Sequence, residues 1–123
     1  VRIITPGIPD KKLVFLLTQS YYEQLIDAGV KIYEYEPGFL HAKSFVCDDE
    51  VAVVGSINLD YRSLYLHFEC GVWMYRSQAV MQVKEDVLDT LAHSREITKD
   101  YCRNRSMPVR LTQSLLRLMA PLL

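Results

Sequence analysis

The sequence predicts an α/β fold, a mixed β-sheet flanked by helices. Three observations point there. Short β-rich runs alternate with stretches of helical periodicity. Pro-Gly and Asp-rich breaks separate them. The resulting order, β-α-β-β-β-α, closes most simply as one mixed sheet with helices packed on it. The 123 residues suffice for one domain or for half of a larger one. A hydrophobic fraction of 50% against 24% charged is that of an ordinary globular core.

Each element has a local reason. Residues 1–5 form a β-rich run that stops at Pro6-Gly7. Asp10 suits a helix N-cap, and Leu13, Leu17, Tyr21, Leu25 and Ala28 follow at helical spacing as far as Gly29. Residues 30–36 alternate, with Val30, Ile32 and Glu34 against Lys31, Tyr33 and Tyr35, which predicts a strand. Residues 39–47 and 51–54 are expected to form a hairpin turned at Asp48-Asp49-Glu50. Its return strand is apolar on both faces and is expected to be central and buried. A polar loop over 55–63 then leads into a long strand over 64–76. Ser77 is expected to cap a helix with Val80, Val83, Val87 and Leu91 on one face. Residues 93–107 read as irregular, and Pro108 starts a final helix. The organisation expected is therefore a body over 1–107 and an amphipathic C-terminal helix over 108–123.

Charge and cysteine usage exclude some classes. The net charge of −1 gives no overall positive field for nucleic acid. The average hides an asymmetry: Arg103, Arg105, Arg110 and Arg117 fall after Tyr101, where no acid occurs. Cys47, Cys70 and Cys102 are odd in number and form no CxxC pair, which argues against zinc and against a disulfide framework. They are expected to be reduced, buried or half-buried thiols. No apolar run approaches the ~20 residues of a membrane span, and no signal peptide is visible. The chain opens on Val1 without an initiator Met, and reads as a soluble piece cut from inside a longer protein.

The chemistry concentrates in residues 41–58, HAKSFVCDDEVAVVGSIN. On a strand, His41 and Lys43 would project from one face and set an imidazole beside an ammonium. Imidazoles serve as nucleophile or proton donor near neutral pH, and an ammonium is a point charge for a phosphoryl oxygen. Ser56 and Asn58, after Gly55, offer short donors to the same oxygens. A histidine working through one nitrogen needs the other held, and Glu69 on the next long strand is the best acceptor. Asp48 is expected to fix the hairpin turn. His67 is site-adjacent at best, and His93 reads as surface. This is half of what phosphodiester transfer needs, because one histidine attacks and a second protonates the leaving oxygen.

The pattern His41-x-Lys43, Asp48 and Gly55-Ser56-x-Asn58 resembles the signature of the phospholipase D superfamily, called HKD after its three letters. The continuation over 57–64, the run His67-Phe68-Glu69-Cys70-Gly71, residues 2–6, residues 31–35 and the ending Leu115-Leu116-Arg117-Leu118 look like the bacterial cardiolipin synthase branch. The resemblance covers nearly the whole chain. It implies a phospholipase D-like half-domain, the C-terminal half carrying the second of two HKD motifs. It implies transfer between two phosphatidylglycerol molecules, giving cardiolipin and glycerol through a phosphohistidine, with no metal and no cofactor. His41 would be the acid/base, and Glu69 matches the acid that supports the motif histidine. The partners implied are phosphatidylglycerol, the absent N-terminal half with the first motif, and a bacterial membrane. The half is expected to be inactive alone.

On a helical wheel Arg110, Gln113, Ser114 and Arg117 share one side of the final helix, opposite an apolar side. That suits an anionic membrane surface, or equally a helix packed on the domain with solvated arginines. Two other readings stay open. A single-motif HKD nuclease would act as a homodimer, although its groove should be basic, so no nucleic-acid partner is expected. Another phospholipase D-type phosphatidyltransferase or phosphodiesterase would carry the same motif. Two copies of the half are also expected to pair across the exposed site face.

Overall fold

In the computed structural model, which describes residues 1–122, the α/β class is realised in two compact units, Val1–Leu40 with Ser94–Leu123, and His41–His93. The first unit holds β1 (Arg2–Pro6), α1 (Lys12–Ser20), α2 (Tyr22–Asp27), β2 (Lys31–Tyr35), β6 (Ser94–Ile97), α4 (Lys99–Arg103) and α5 (Met107–Leu118). The second holds β3 (Ser44–Cys47), β4 (Val51–Gly55), β5 (Gly71–Tyr75) and α3 (Gln78–Ala92).

The strands do not form one sheet. They form two of three strands each, in the orders β1-β2-β6 and β3-β4-β5. β2 runs parallel to β1 and antiparallel to β6, so both of its edges are taken. The chain leaves it through Pro37-Gly38 and starts a second sheet. β6 was expected to be irregular. Its segment, Ser-Arg-Glu-Ile, carries one buried apolar residue, Ile97, too little for a period-2 pattern to be visible.

In the first unit, α1 and α2 make the crossover between parallel β1 and β2. The single helix expected over 10–28 breaks at Tyr21, and it starts at Lys12 without an Asp10 cap. Gly29 does end it, with φ of 85° and its N–H bonded to the Ile26 carbonyl at 3.0 Å. The core gathers Tyr22, Ile32, Ile97 and Cys102, with Ile3, Leu25, Ile26 and Val30 packed against it. Glu34, 2% exposed, is buried beside this core. Its carboxylate accepts from Gln19 Nε2 at 3.0 Å, the Tyr22 hydroxyl at 3.2 Å and Arg95 Nη2 at 2.9 Å. That full set of donors compensates a buried charge. Burial and the adjacent Glu34 push the Tyr22 phenol far above its ordinary range.

α5 packs on α1 with its polar side inward. Gln113 is buried and donates to the Leu16 carbonyl at 3.2 Å, and Arg117 Nε donates to Ser20 Oγ at 3.0 Å. Leu111, Leu115 and Leu118 are exposed. This inverts the usual orientation of an amphipathic helix, and Arg117 is engaged rather than solvated.

In the second unit the antiparallel sheet packs α3 on one side, with Ala52 and Val80 fully buried. β4 is central, but Val54 at its end is 41% exposed, so burial covers only part of the strand. Val83, Val87 and Leu91 of α3 are half-buried along the expected face. Ser77 holds the N-cap position through its backbone carbonyl, not its side chain. The strand expected over 64–76 is cut to Gly71–Tyr75. Asp60 accepts Ser63 N at 2.7 Å on its side chain and Leu64 N at 3.0 Å on its carbonyl, which starts a π-helical turn at Arg62–Leu66 instead. Cys47 and Cys70 are exposed rather than buried, whereas Cys102 is buried; all three are free.

Candidate active site

The hairpin of β3 and β4 has two ends, and the motif residues divide between them. Asp48 and Asp49 take left-handed backbone conformations, φ 52° and 57°, which a two-residue hairpin turn demands and Asp tolerates. Glu50 N closes the turn on the Cys47 carbonyl at 3.1 Å. Asp48 Oδ2 accepts from Cys47 Sγ at 3.2 Å, and this bond raises the Cys47 thiol pKa. Asp49 pairs with Lys84 of α3 at 2.6 Å. The open end lies four strand residues away, roughly 13 Å at ~3.3 Å per residue, so Asp48 is separated from the groups gathered there.

At that open end the sheet brings three chain segments together. Gly55 N donates to the Lys43 carbonyl at 3.1 Å, and Gly55 pairs with Gly71 of β5. A Cβ at Gly55 would lie 2.2 Å from the Cys70 carbonyl oxygen and 2.6 Å from Gly71 Cα. Only glycine fits that backbone approach. Ser56 continues the pairing: its N–H donates to the Cys70 carbonyl at 2.8 Å, and Cys70 N donates to Ser56 Oγ at 3.0 Å. The Ser56 hydroxyl in turn donates to Glu69 Oε2 in a short bond.

Glu69 is the hub. Hydrogen bonds from Ser56 and then from Ser63 hold its carboxyl below the usual glutamate range, with the charges of His67 and Lys43 acting the same way. Its side chain is 15% exposed, so the carboxylate is half-enclosed but ionised. Asn58 joins through Nδ2, which donates to Ser63 Oγ at 3.3 Å. Ser56, Asn58 and Glu69 therefore share one neighbourhood, joined through Ser63, with Lys43 near enough for its charge to act on Glu69.

Two expectations change. Residues 41–43 lie outside β3, which starts at Ser44, so strand alternation does not orient His41 and Lys43. His41 is exposed, and Lys43 Nζ donates to its carbonyl at 2.7 Å. Glu69 is not on a strand either, and the His67 ring lies beside it, with Nδ1 3.5 Å from Oε1. His67 Nδ1 also lies 2.7 Å from the Phe68 carbonyl, which can only accept, so this nitrogen carries a proton. Ser63 was not foreseen. A serine in a polar loop gives no signal until the loop coils into a π turn and aims it back at Glu69. Among the described residues no group of three or more His, Cys, Asp or Glu side chains is placed to hold a metal ion.

The arrangement offers a cation and hydroxyl and amide donors around an ionised carboxylate, the components that cradle a phosphoryl group. A family model described as cardiolipin synthase, PLD-like domain, matches residues 1–91. A Streptococcus mutans protein of uncharacterized function is 51% identical over all of this chain, which covers 27% of that protein. A cardiolipin synthase of Halalkalibacterium halodurans and one of Geobacillus kaustophilus are each 42% identical over all of it, which covers 24% of each. The chain thus spans about a quarter of the length of the curated relatives it matches. It belongs to the phospholipase D-like domain family of the cardiolipin synthases.

Proposed function

We propose that this chain is the C-terminal, second-motif part of a cardiolipin synthase that transfers a phosphatidyl group between two phosphatidylglycerol molecules. The observation that carries the reading is the convergence of Lys43, Ser56, Asn58 and Glu69 at the open end of the β3–β4 hairpin, at HKD spacing. In this reading a histidine of the first motif attacks phosphorus, a P–N bond forms and the P–O bond to glycerol breaks. His41 gives its proton to the leaving glycerol oxygen. It then takes the proton of the incoming hydroxyl as the P–N bond breaks and cardiolipin forms. Lys43 and Asn58 hold the phosphoryl oxygens, and Ser56, whose one hydroxyl proton goes to Glu69, braces that carboxylate beside them. Asp48 holds the hairpin turn, and Glu69 fixes the donors around it.

The partner reading has its own support. Leu64, Tyr65, Leu66 and Phe68 are exposed beside the site, with Phe68 98% exposed. An apolar patch of that kind suits a covering domain, here the first-motif half, or a second copy where that half is absent. The proposed location is a bacterial membrane surface. Among the described residues no helix is long and apolar enough to cross a membrane.

The test uses the full-length protein with phosphatidylglycerol vesicles and lipid mass spectrometry. His41→Ala is expected to lower cardiolipin formation by at least ~100-fold, the scale of lost general acid catalysis. Near-normal synthesis by that variant refutes the assignment. Plasmid cleavage that depends on His41, without lipid transfer, selects the nuclease reading instead.

A further inference from the structure

We propose that the arginine-lined cavity between α1 and α5 is a phosphate-binding site. The cavity has a volume of about 160 Å³, room for a phosphate group rather than a whole lipid. Arg105, Arg110 and Arg117 line it, with Gln113 and Ser114. All of these residues belong to the first unit, whereas the HKD cluster belongs to the second.

Three observations favour an anion there. First, Arg105 Nη2 is buried and has no hydrogen-bond partner among the described residues. Arg105 Nη1 donates to the Gln19 carbonyl at 3.2 Å, and its guanidinium lies 5.2 Å from the Tyr101 ring centroid. The fork is thus held by the protein while one of its ends stays unsatisfied. A buried charged donor without an acceptor is costly, and because Nη2 has no accessible surface an anion in the cavity would meet Arg105 through its charge. Second, Arg117 is fixed by Ser20, through Oγ and the carbonyl, and by the Tyr21 ring 4.8 Å away. Arg110 makes no side-chain hydrogen bond or ion pair among the described residues and completes the set. Third, the one carboxylate lining the cavity, Glu23, accepts from Arg103 Nε at 3.2 Å, so its charge is engaged by a cation that does not line the cavity.

Three guanidinium groups around one small space repel each other unless an anion sits among them. The Arg110 fork is free to match phosphate oxygens two at a time, while Arg105 and Arg117, held by Gln19 and Ser20, add positive charge. The phosphate could belong to a lipid headgroup or be free in solution. The chemistry is the same, and the experiment separates the sources.

The test measures inorganic phosphate binding to the full-length protein by titration calorimetry, against sodium chloride at equal ionic strength. Arg110→Gln and Arg105→Lys are compared with Arg2→Gln, an exposed arginine outside the cavity. Binding is expected in the wild type and in Arg2→Gln, about tenfold weaker in Arg110→Gln, which loses a free fork, and weakened less in Arg105→Lys, which keeps its charge. Arg110 is exposed, so Arg110→Gln carries the test even if Arg105→Lys fails to fold. No phosphate binding beyond chloride, or wild-type affinity in Arg110→Gln, overturns the site. Phosphatidylcholine vesicles with and without phosphatidic acid then assign the source. Competition between those vesicles and inorganic phosphate supports a headgroup phosphate; phosphate binding without competition supports a soluble one. Vesicle binding with no response to inorganic phosphate refutes the cavity and points to the outward apolar side of α5. His41 and Lys43 are untouched by these variants, so the outcome leaves the transfer reading independent.

Discussion

Glu69 shows how single residues govern the candidate site. Its oxygens are bound by Ser56 and Ser63, with Lys43 near enough to add to the field. Its depressed pKa means that folding favours the ionised form. This contribution is present above the ordinary carboxylate pKa and is lost as pH falls through the lower folded value. Ser56→Ala removes the leading cause, so the Glu69 pKa should rise toward the ordinary glutamate value, as read by carboxyl ¹³C NMR titration. An unchanged midpoint would contradict the hub. Lys43→Ala should cost transition-state stabilisation of about 3–4 kcal/mol in kcat/KM, the scale of a lost oxyanion donor. Steady-state transfer assays check this, and a loss confined to KM would mark Lys43 as a ground-state binder. Spacing singled out Lys43, Ser56, Asn58 and Glu69 as candidates. The link through Ser63 was not legible, because a hydrogen bond across a coiled loop leaves no periodic trace.

At the scale of elements, the hairpin was legible and its limits were not. The Asp48-Asp49 turn and the centrality of β4 follow from turn chemistry and from a run apolar on both faces. The length of β3 was overestimated, because alternation continues past the last paired residue. β5 was overextended for a different reason: the helical capping by Asp60 outweighs the β-propensity of residues 64–68. Gly55 shows the tightest constraint, with backbone atoms on the opposite strand too close for any side chain. Gly55→Ala should destabilise the chain by about 3 kcal/mol, through strand displacement. Urea unfolding measures it, and a change below ~0.5 kcal/mol would show that the β4–β5 approach is looser than described.

For the whole molecule, the chain spans about a quarter of its cardiolipin synthase relatives and displays one HKD cluster. Phosphatidyl transfer by the proposed route needs two histidines, so this chain expressed alone should form no cardiolipin from phosphatidylglycerol vesicles, while the full-length protein should. Lipid mass spectrometry decides it. Synthesis by the isolated chain would require both roles from one cluster or from two copies.

Residue identity and spacing were enough to place the α/β class and the family, since those depend on which groups occur and at what intervals. Long-range pairing settled the rest. β2 pairs with β1 and β6 while β3, β4 and β5 form a second sheet, capping at Asp60 turns a strand into a coil, and Ser20 with Leu16 draws the polar side of α5 inward. Each outcome is a competition between a local preference and a partner distant in sequence, and only the folded chain shows which one wins.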